Sequence, residues 1–155
     1  MPSPFSVFQR HCQHEHRSQP QYAIKNTLII IENLEILSLA RNQIKRIQGL
    51  DEVGPTLLEL WLSHNQIEKL EGIQSCVKLT TLYISHNKIK SWDEVSRLSQ
   101  LPSLKDLLLS DNPVYGDKDK EAVKPYAIKR VPALEILDGK VVTEAVRAQA
   151  KEIQE

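Results

Sequence analysis

Along most of the chain the apolar residues keep neither a helical nor a strand period. In "LLELWLSHNQIEKLEGI" the set Leu57, Leu60, Leu62, Ile67, Leu70 and Ile73 steps by 3, 2, 5, 3 and 3, which is no single helix or strand face. The same steps recur in "LTTLYISHNKIKSW", with Leu79, Leu82, Ile84, Asn87, Ile89 and Trp92 at matching places. Written as LxxLxLxxNxI, the unit occurs over Leu34–Ile44, Leu57–Ile67, Leu79–Ile89 and Leu104–Val114. Its asparagines, Asn42, Asn65, Asn87 and Asn112, lie 23, 22 and 25 residues apart.

That period is the roughly 20 to 29 residues of leucine-rich repeats. Each unit predicts a short strand, a turn and a helical or 3-10 return, and one unit alone cannot bury its leucines, so the units must stack. The fold class is therefore α/β: a leucine-rich repeat solenoid with a parallel concave sheet, short helical or 3-10 returns on the convex side and a C-terminal cap. In "ELWLS" the alternation sends Leu60 and Leu62 inward and leaves Glu59, Trp61 and Ser63 on the concave face. At the turn that follows, an asparagine amide can both donate to and accept from main-chain groups left unpaired inside, which makes the four asparagines structural. The returns read as short helices. The longest, "SWDEVSRLSQLPSL", puts Val95, Leu98 and Leu101 on one face and is closed by Pro102. Cys76, in the return "IQSCVKL", reads as a small core residue.

A fifth unit begins in "VPALEILDGKVV", but Asp138 and Gly139 end it where an asparagine turn would stand. Together with the preceding "KPYAIKRV", a helix with Pro125 at its first position, it reads as the cap that an open solenoid needs. Beyond it, Val142, Val146, Ala150 and Ile153 form the stripe of a last helix. At the other end "NTLIIIENLEIL" resembles the tail of a unit whose strand is missing, so either residues 1–33 improvise a cap or the first repeats have been replaced. The expected organisation is a flexible arm over 1–26, a repeat domain with its cap over 27–142 and a C-terminal helix over 143–155.

Composition narrows the function. Lys+Arg and Asp+Glu both number 20, so no net field recruits nucleic acid or a membrane. The longest apolar run, "TLIII", is too short to span a bilayer, and the start lacks a secretory pattern. The two cysteines, Cys12 and Cys76, stand far apart in unlike contexts, which favours free thiols and the cytosol. The polar stretch "HCQHEHRSQPQ" has no amphipathic period and, despite His11, Cys12, His14 and His16, no partner motif for a metal.

The units "NQIKRI", "NQIEKLEGI" and "NKIKSW" and the cap "KRVPALEILDG" resemble the short-repeat leucine-rich proteins that include phosphatase-1 regulators and the U2 spliceosomal A-prime protein. More specifically, "GPTLLELWLSHNQIEKLEGI" and "LYISHNKIKSWDEVSRLSQLPSLKDLLLSDNPV" resemble the light chain 1 family of axonemal outer-arm dynein, from about Ile31 to Val142. That resemblance implies a non-catalytic subunit without cofactors. Its implied partners are the motor region of a dynein heavy chain, near the microtubule-binding tip, and tubulin; its implied place is the cytoskeleton of the ciliary or flagellar axoneme, with a role in tuning beating. The alternative is a scaffold regulating a phosphatase or a ribonucleoprotein.

Aligning the strands gives three rows on the concave face. Ser38, Trp61, Tyr83 and Leu108 form an apolar stripe of the kind enriched at protein interfaces, set against the plainer reading that these side chains pack on one another. Ile36, Glu59, Thr81 and Asp106 flank it, and the carboxylates of Glu59 and Asp106 favour a basic partner segment. Arg41, His64, His86 and Asp111 flank the other side. Two histidines and an aspartate invite a metal or catalytic reading, but no nucleophile, glycine-rich loop or paired acid accompanies them, so no metal and no enzyme is expected. On the last helix Arg147 and Lys151 share a face and are the candidate microtubule contact.

Overall fold

The computed structural model describes residues 33–154. The predicted arm with Cys12 and its histidines, and the first residues of the expected repeat domain, lie outside the described residues. Within them, strands β1 (Ile36–Ser38), β2 (Glu59–Trp61), β3 (Thr81–Tyr83), β4 (Asp106–Leu108) and β5 (Ile136–Leu137) pair in parallel and in sequence order. A last strand, β6 (Lys140–Val141), returns antiparallel to β5.

The strands are short because the leucine pattern supports alternation over only a few residues. The inward row Leu37, Leu60, Leu82, Leu107 and Leu137 is buried, as is the row Leu39, Leu62, Ile84 and Leu109 that follows. Return residues Ile67, Leu70, Ile73, Leu79 and Ile89 close the same core. Burying one such side chain is worth about 1.5–3 kcal/mol, so the repeats are held chiefly by this shared interior.

The expectation of helical returns holds for the third unit and fails for the first two. Helix α1 (Trp92–Ser96) starts on Ser91, whose side chain accepts from the Glu94 amide, and runs into a 3-10 turn over Arg97–Gln100. Val95, Leu98 and Leu101 are buried along it, as the stripe predicted. Residues 43–56 and 66–78 form turns and a parallel bridge between Arg46 and Lys69. The reason is proximity: a Cβ on Gly72, at φ +96, would stand 2.2 Å from the Ile47 carbonyl oxygen of the preceding return, and one on Gly54 would stand 2.9 Å from the Ser75 carbonyl carbon of the following one. Glycine allows main chains to approach more closely than two side-chain-bearing helices can.

Two further expectations need correction in the cap. Helix α2 (Lys120–Arg130) carries Pro125 inside it and not at its first position. The stronger start signal is Asp119, whose carboxylate accepts from the Ala122 amide at 2.8 Å, one turn before the proline. Asp138 and Gly139, at φ 51 and 74, do more than end a unit: they make the two-residue turn of a β5–β6 hairpin, for which successive positive φ values are suited. Helix α3 (Glu144–Glu152), capped by Thr143, packs on α2 with Val142 and Ala150 buried.

Candidate functional site

The sheet register aligns the predicted rows. Ser38 pairs with Trp61, Trp61 with Tyr83 and Tyr83 with Leu108, while Ile36, Glu59, Thr81 and Asp106 make the neighbouring row. Trp61, Tyr83 and Leu108 are each half-buried, and Ser38 is exposed. The Trp61 and Tyr83 rings stack with centroids 6.0 Å apart and planes 20° from parallel. These side chains therefore pack on one another and still present a face to solvent. The Trp61 indole nitrogen is buried without a hydrogen-bond partner, so the ring is placed by its apolar contacts alone.

The Tyr83 hydroxyl donates to Asp106 Oδ2 at 3.2 Å. Burial first, then the carboxylates of Asp106 and Glu59, push its pKa upward and keep it a neutral donor. This bond fixes the aromatic ring and the acidic row relative to one another. On the opposite side of the stripe, Ser85 donates to Ser63 Oγ at 3.0 Å. The serine ladder was not anticipated, although Ser63, Ser85 and Ser110 stand at equivalent places in successive units.

Arg41, His64, His86 and Asp111 are brought together as a row, and for a conformational reason. Each sits immediately before a repeat asparagine with φ between 53 and 61, the left-handed turn position. The amides of Arg41, His64 and His86 donate to the Ser63, Ser85 and Ser110 carbonyls, which pins successive turns to one another. The imidazoles of His64 and His86 stack with centroids 4.2 Å apart. His86 Nδ1 lies 3.7 Å from Asp111 Oδ2, and Lys120 Nζ lies 3.6 Å from the same oxygen. Stacked rings direct their nitrogens outward in parallel planes instead of converging them on one ion, and among the described residues no cluster of histidine, cysteine or acidic side chains is placed to hold a metal. Loss of hydration, then His86 and Arg41, lower the His64 pKa against the opposing pull of Asp111. Asp111 is held low chiefly by the Ser110 hydroxyl, then by Lys120 and His86.

Behind this surface the asparagines form an interior ladder. Asn87 Oδ1 accepts from the Ile67 amide at 3.0 Å while its Nδ2 donates to the Leu62 and Ile84 carbonyls at 3.0 and 3.1 Å. Asn65 and Asn112 repeat the arrangement one unit to either side. Asn42 departs from it: the residue is exposed, and among the described residues its amide bonds only to the nearby Leu39 and Ala40 carbonyls.

The two residues of the candidate track contact are placed differently. Arg147 Nη1 and Nη2 donate to the Pro132 and Leu134 carbonyls, each at 2.7 Å, so this guanidinium anchors α3 to its own solenoid. Lys151 is exposed. Cys76 is fully buried, and burial raises its thiol pKa to about 11, as suits an inert core residue. No helix among the described residues is long and apolar enough to cross a membrane.

Residues 32–75 and 55–97 match the family described as Leucine Rich repeats (2 copies). Dynein axonemal light chain 1 of Chlamydomonas reinhardtii is 47% identical over 143 residues, covering 90% of this chain and 72% of that protein. The protein of the same name from Danio rerio is 48% identical over 114 residues, covering 72% of this chain and 59% of the relative, so the chain spans about three fifths of its length. Among solved structures, the Drosophila melanogaster SNF/U2A′ complex contains a chain that superposes with a TM-score of 0.59 over 84% of this chain and 88% of that one. At 18% identity that likeness is one of fold.

Proposed function

Because the chain belongs to the dynein axonemal light chain 1 family of leucine-rich repeat proteins, we propose that it is a non-catalytic subunit of outer-arm dynein that grips a heavy chain through its concave sheet. Its place is the axoneme of the cilium or flagellum. The observation that carries the reading is the half-exposed Trp61–Tyr83 stack, continued by Leu108, at the centre of the sheet. A rigid aromatic pair loses little freedom on binding and desolvates a large area, the character of an interface hot spot.

The segment bound is an amphipathic helix of the heavy-chain motor region near the microtubule-binding tip. Its apolar face covers Trp61, Tyr83 and Leu108, basic residues on one flank meet Glu59 and Asp106, and the Arg41, His64 and His86 row sets orientation on the other. Bound there, the subunit acts by constraining the motor sterically, and so tunes beating. With Arg147 engaged by its own chain, contact with tubulin falls to Lys151 and its exposed neighbours. The repeat domain and its cap, expected over 27–142, serve as the binding body, with helix α3 (Glu144–Glu152) packed against α2 of the cap.

The rival scaffold reading, with a phosphatase or ribonucleoprotein in the groove, has fold likeness as its support, and solenoids of one fold host many partners. The test is a pull-down from an axonemal salt extract using the full chain and its Trp61→Ala/Tyr83→Ala variant. Recovery of an outer-arm heavy chain by the unaltered chain alone is expected, with Trp61→Ala alone weakening binding by at least about 1–2 kcal/mol. Equal recovery by both chains, or recovery of a phosphatase or splicing protein in place of the heavy chain, would overturn the assignment.

A further inference from the structure

The chain is neutral as a whole, but its charges are sorted. The carboxylates around the cap and fourth unit have cations beside them: Glu135 pairs with Lys105, Asp111 with Lys120, and Glu121 with both Lys124 and Lys140. Where the chain leaves the concave sheet and enters the returns, the balance is reversed. Lys45, Arg46, Lys69, Lys88 and Lys90 are exposed, and among the described residues none of them forms an ion pair. Lys88 has a 3.5 Å hydrogen bond to the Gln66 side chain.

These cations occupy three successive turns. The amide of Gln66 donates to the Ile44 carbonyl and that of Lys88 to the Ile67 carbonyl, both at 2.8 Å, and Arg46 bridges to Lys69. Neighbouring turns therefore rise by about one strand spacing, ~4.8 Å. Between the first two turns lies a hollow of about 520 Å³, lined by Lys45, Arg46, Gln48 and Lys69 together with Glu68 and Glu71. The three cations lining the hollow outnumber its two carboxylates, and Lys88 and Lys90 on the next turn add to the excess, which leaves a positive local field for a counter-charge to meet.

We propose that this exit edge is a second binding surface and that it takes an acidic, extended peptide. An extended chain presents alternate side chains on one side about 7 Å apart, a span that lysine and arginine stems absorb. Its carboxylates reach Lys45, Arg46 and Lys69 in the hollow and continue to Lys88 and Lys90, and its uncharged residues pass Glu68 and Glu71. A nucleic acid fits less well. Its unbroken phosphate charge meets those two carboxylates, and no aromatic side chain lines the hollow to stack on a base. The surface is separate from the Trp61, Tyr83 and Leu108 stripe, so it stands or falls independently of the heavy-chain reading.

The test is fluorescence anisotropy of a labelled decapeptide of alternating glutamate and serine titrated with the full chain, at low salt and at about 0.15 M salt. Unlabelled oligothymidylate and phosphatidylserine vesicles serve as competitors. Saturable binding that weakens with salt is expected, lowered by about tenfold or more in Lys45→Glu/Lys69→Glu and unchanged in Trp61→Ala. The neutral Lys45→Gln/Lys69→Gln variant, which introduces no repulsion that could disturb the fold, should weaken binding by about threefold and supplies the test if charge reversal lowers the melting temperature. Unaltered affinity in the Gln variant would overturn the proposal. So would an oligonucleotide or a vesicle that displaces the peptide at far lower concentration and loses its own binding in that variant.

Discussion

The turn at Asn87 and the turn at Asp138 perform the same task in two different settings. Asn87 lies between two units, where one main-chain N–H and two carbonyls lack main-chain partners, and a carboxamide supplies both an acceptor and a donor. Asp138 lies where the stack ends. In earlier units the amides of Leu39, Leu62 and Ile84 donate to the carbonyls of Trp61, Tyr83 and Leu108 in the next strand. At the fourth unit the hairpin carries the chain away, and Asp138 Oδ1 accepts instead from the Leu109 and Ser110 amides at 2.8 and 2.9 Å. Its other oxygen accepts from the Tyr115 hydroxyl. An interior turn needs donor and acceptor; a terminal one, facing only N–H and O–H groups, needs acceptors. The carboxamide in one turn and the carboxylate in the other follow from the identity of the groups each must satisfy.

The largest effect in this comparison should come from giving an interior turn the terminal residue. Asn87→Asp faces a carboxylate with the Leu62 and Ile84 carbonyls in a buried site, and we expect a loss of about 3 kcal/mol or more in chemical denaturation. A loss below ~1 kcal/mol would mean that water enters the turn and that the ladder is replaceable. Next comes Asp138→Ala, which leaves the Leu109 and Ser110 amides and the Tyr115 hydroxyl without their acceptor in a partly buried place; about 2 kcal/mol is expected. Asp138→Asn, retaining an acceptor, should recover part of it.

A smaller effect separates the turns by pH. The His64 pKa is lowered in the folded state, so the unfolded chain binds the proton more readily and stability falls as pH drops through the ordinary histidine value, about 6.5. Asp111 is lowered as well, so its contribution is present above the ordinary carboxylate range and is lost only in stronger acid. Melting temperatures of the unaltered chain and His64→Gln between about pH 5 and 8 should converge towards the acid end; parallel curves would remove His64 from the account. The smallest effect belongs to Asn42→Ala. This asparagine is exposed and, among the described residues, bonds only within its own turn, so a change within about 0.5 kcal/mol is expected despite its identical place in the repeat.

Asn42 also marks how far the sequence could be read. The spacing of leucines and asparagines sufficed for the strand order, the register and the three concave rows, because each unit repeats the same demands on its neighbour. It could not show that Asn42 lies where the described ladder stops, since position in a stack is not written in a single unit. The Asp-Gly pair of the hairpin was legible as a turn signal, but the repeat frame led to its being read as a bare ending. Gly54 and Gly72, which turn two of the expected helices into close-packed turns, act through contacts with a neighbouring return, at Ser75 and Ile47 respectively, that a local pattern does not contain. The anchoring of Arg147 is illegible for the same reason: its partners are the Pro132 and Leu134 carbonyls, main-chain groups of the cap.

The side-chain rungs that tie one turn to the next join residues only 20 to 29 apart. None of these rungs links the first unit directly to the last, so the molecule should behave less like a sealed globule than like a short zipper with a firm middle and yielding ends. Amide exchange should then be slowest around Leu82 and Ile84 and quicken towards β1 and β6. A partner that clasps Trp61, Tyr83 and Leu108 would hold the teeth that open last, while a change at either margin could loosen several rungs before the grip is felt to slip.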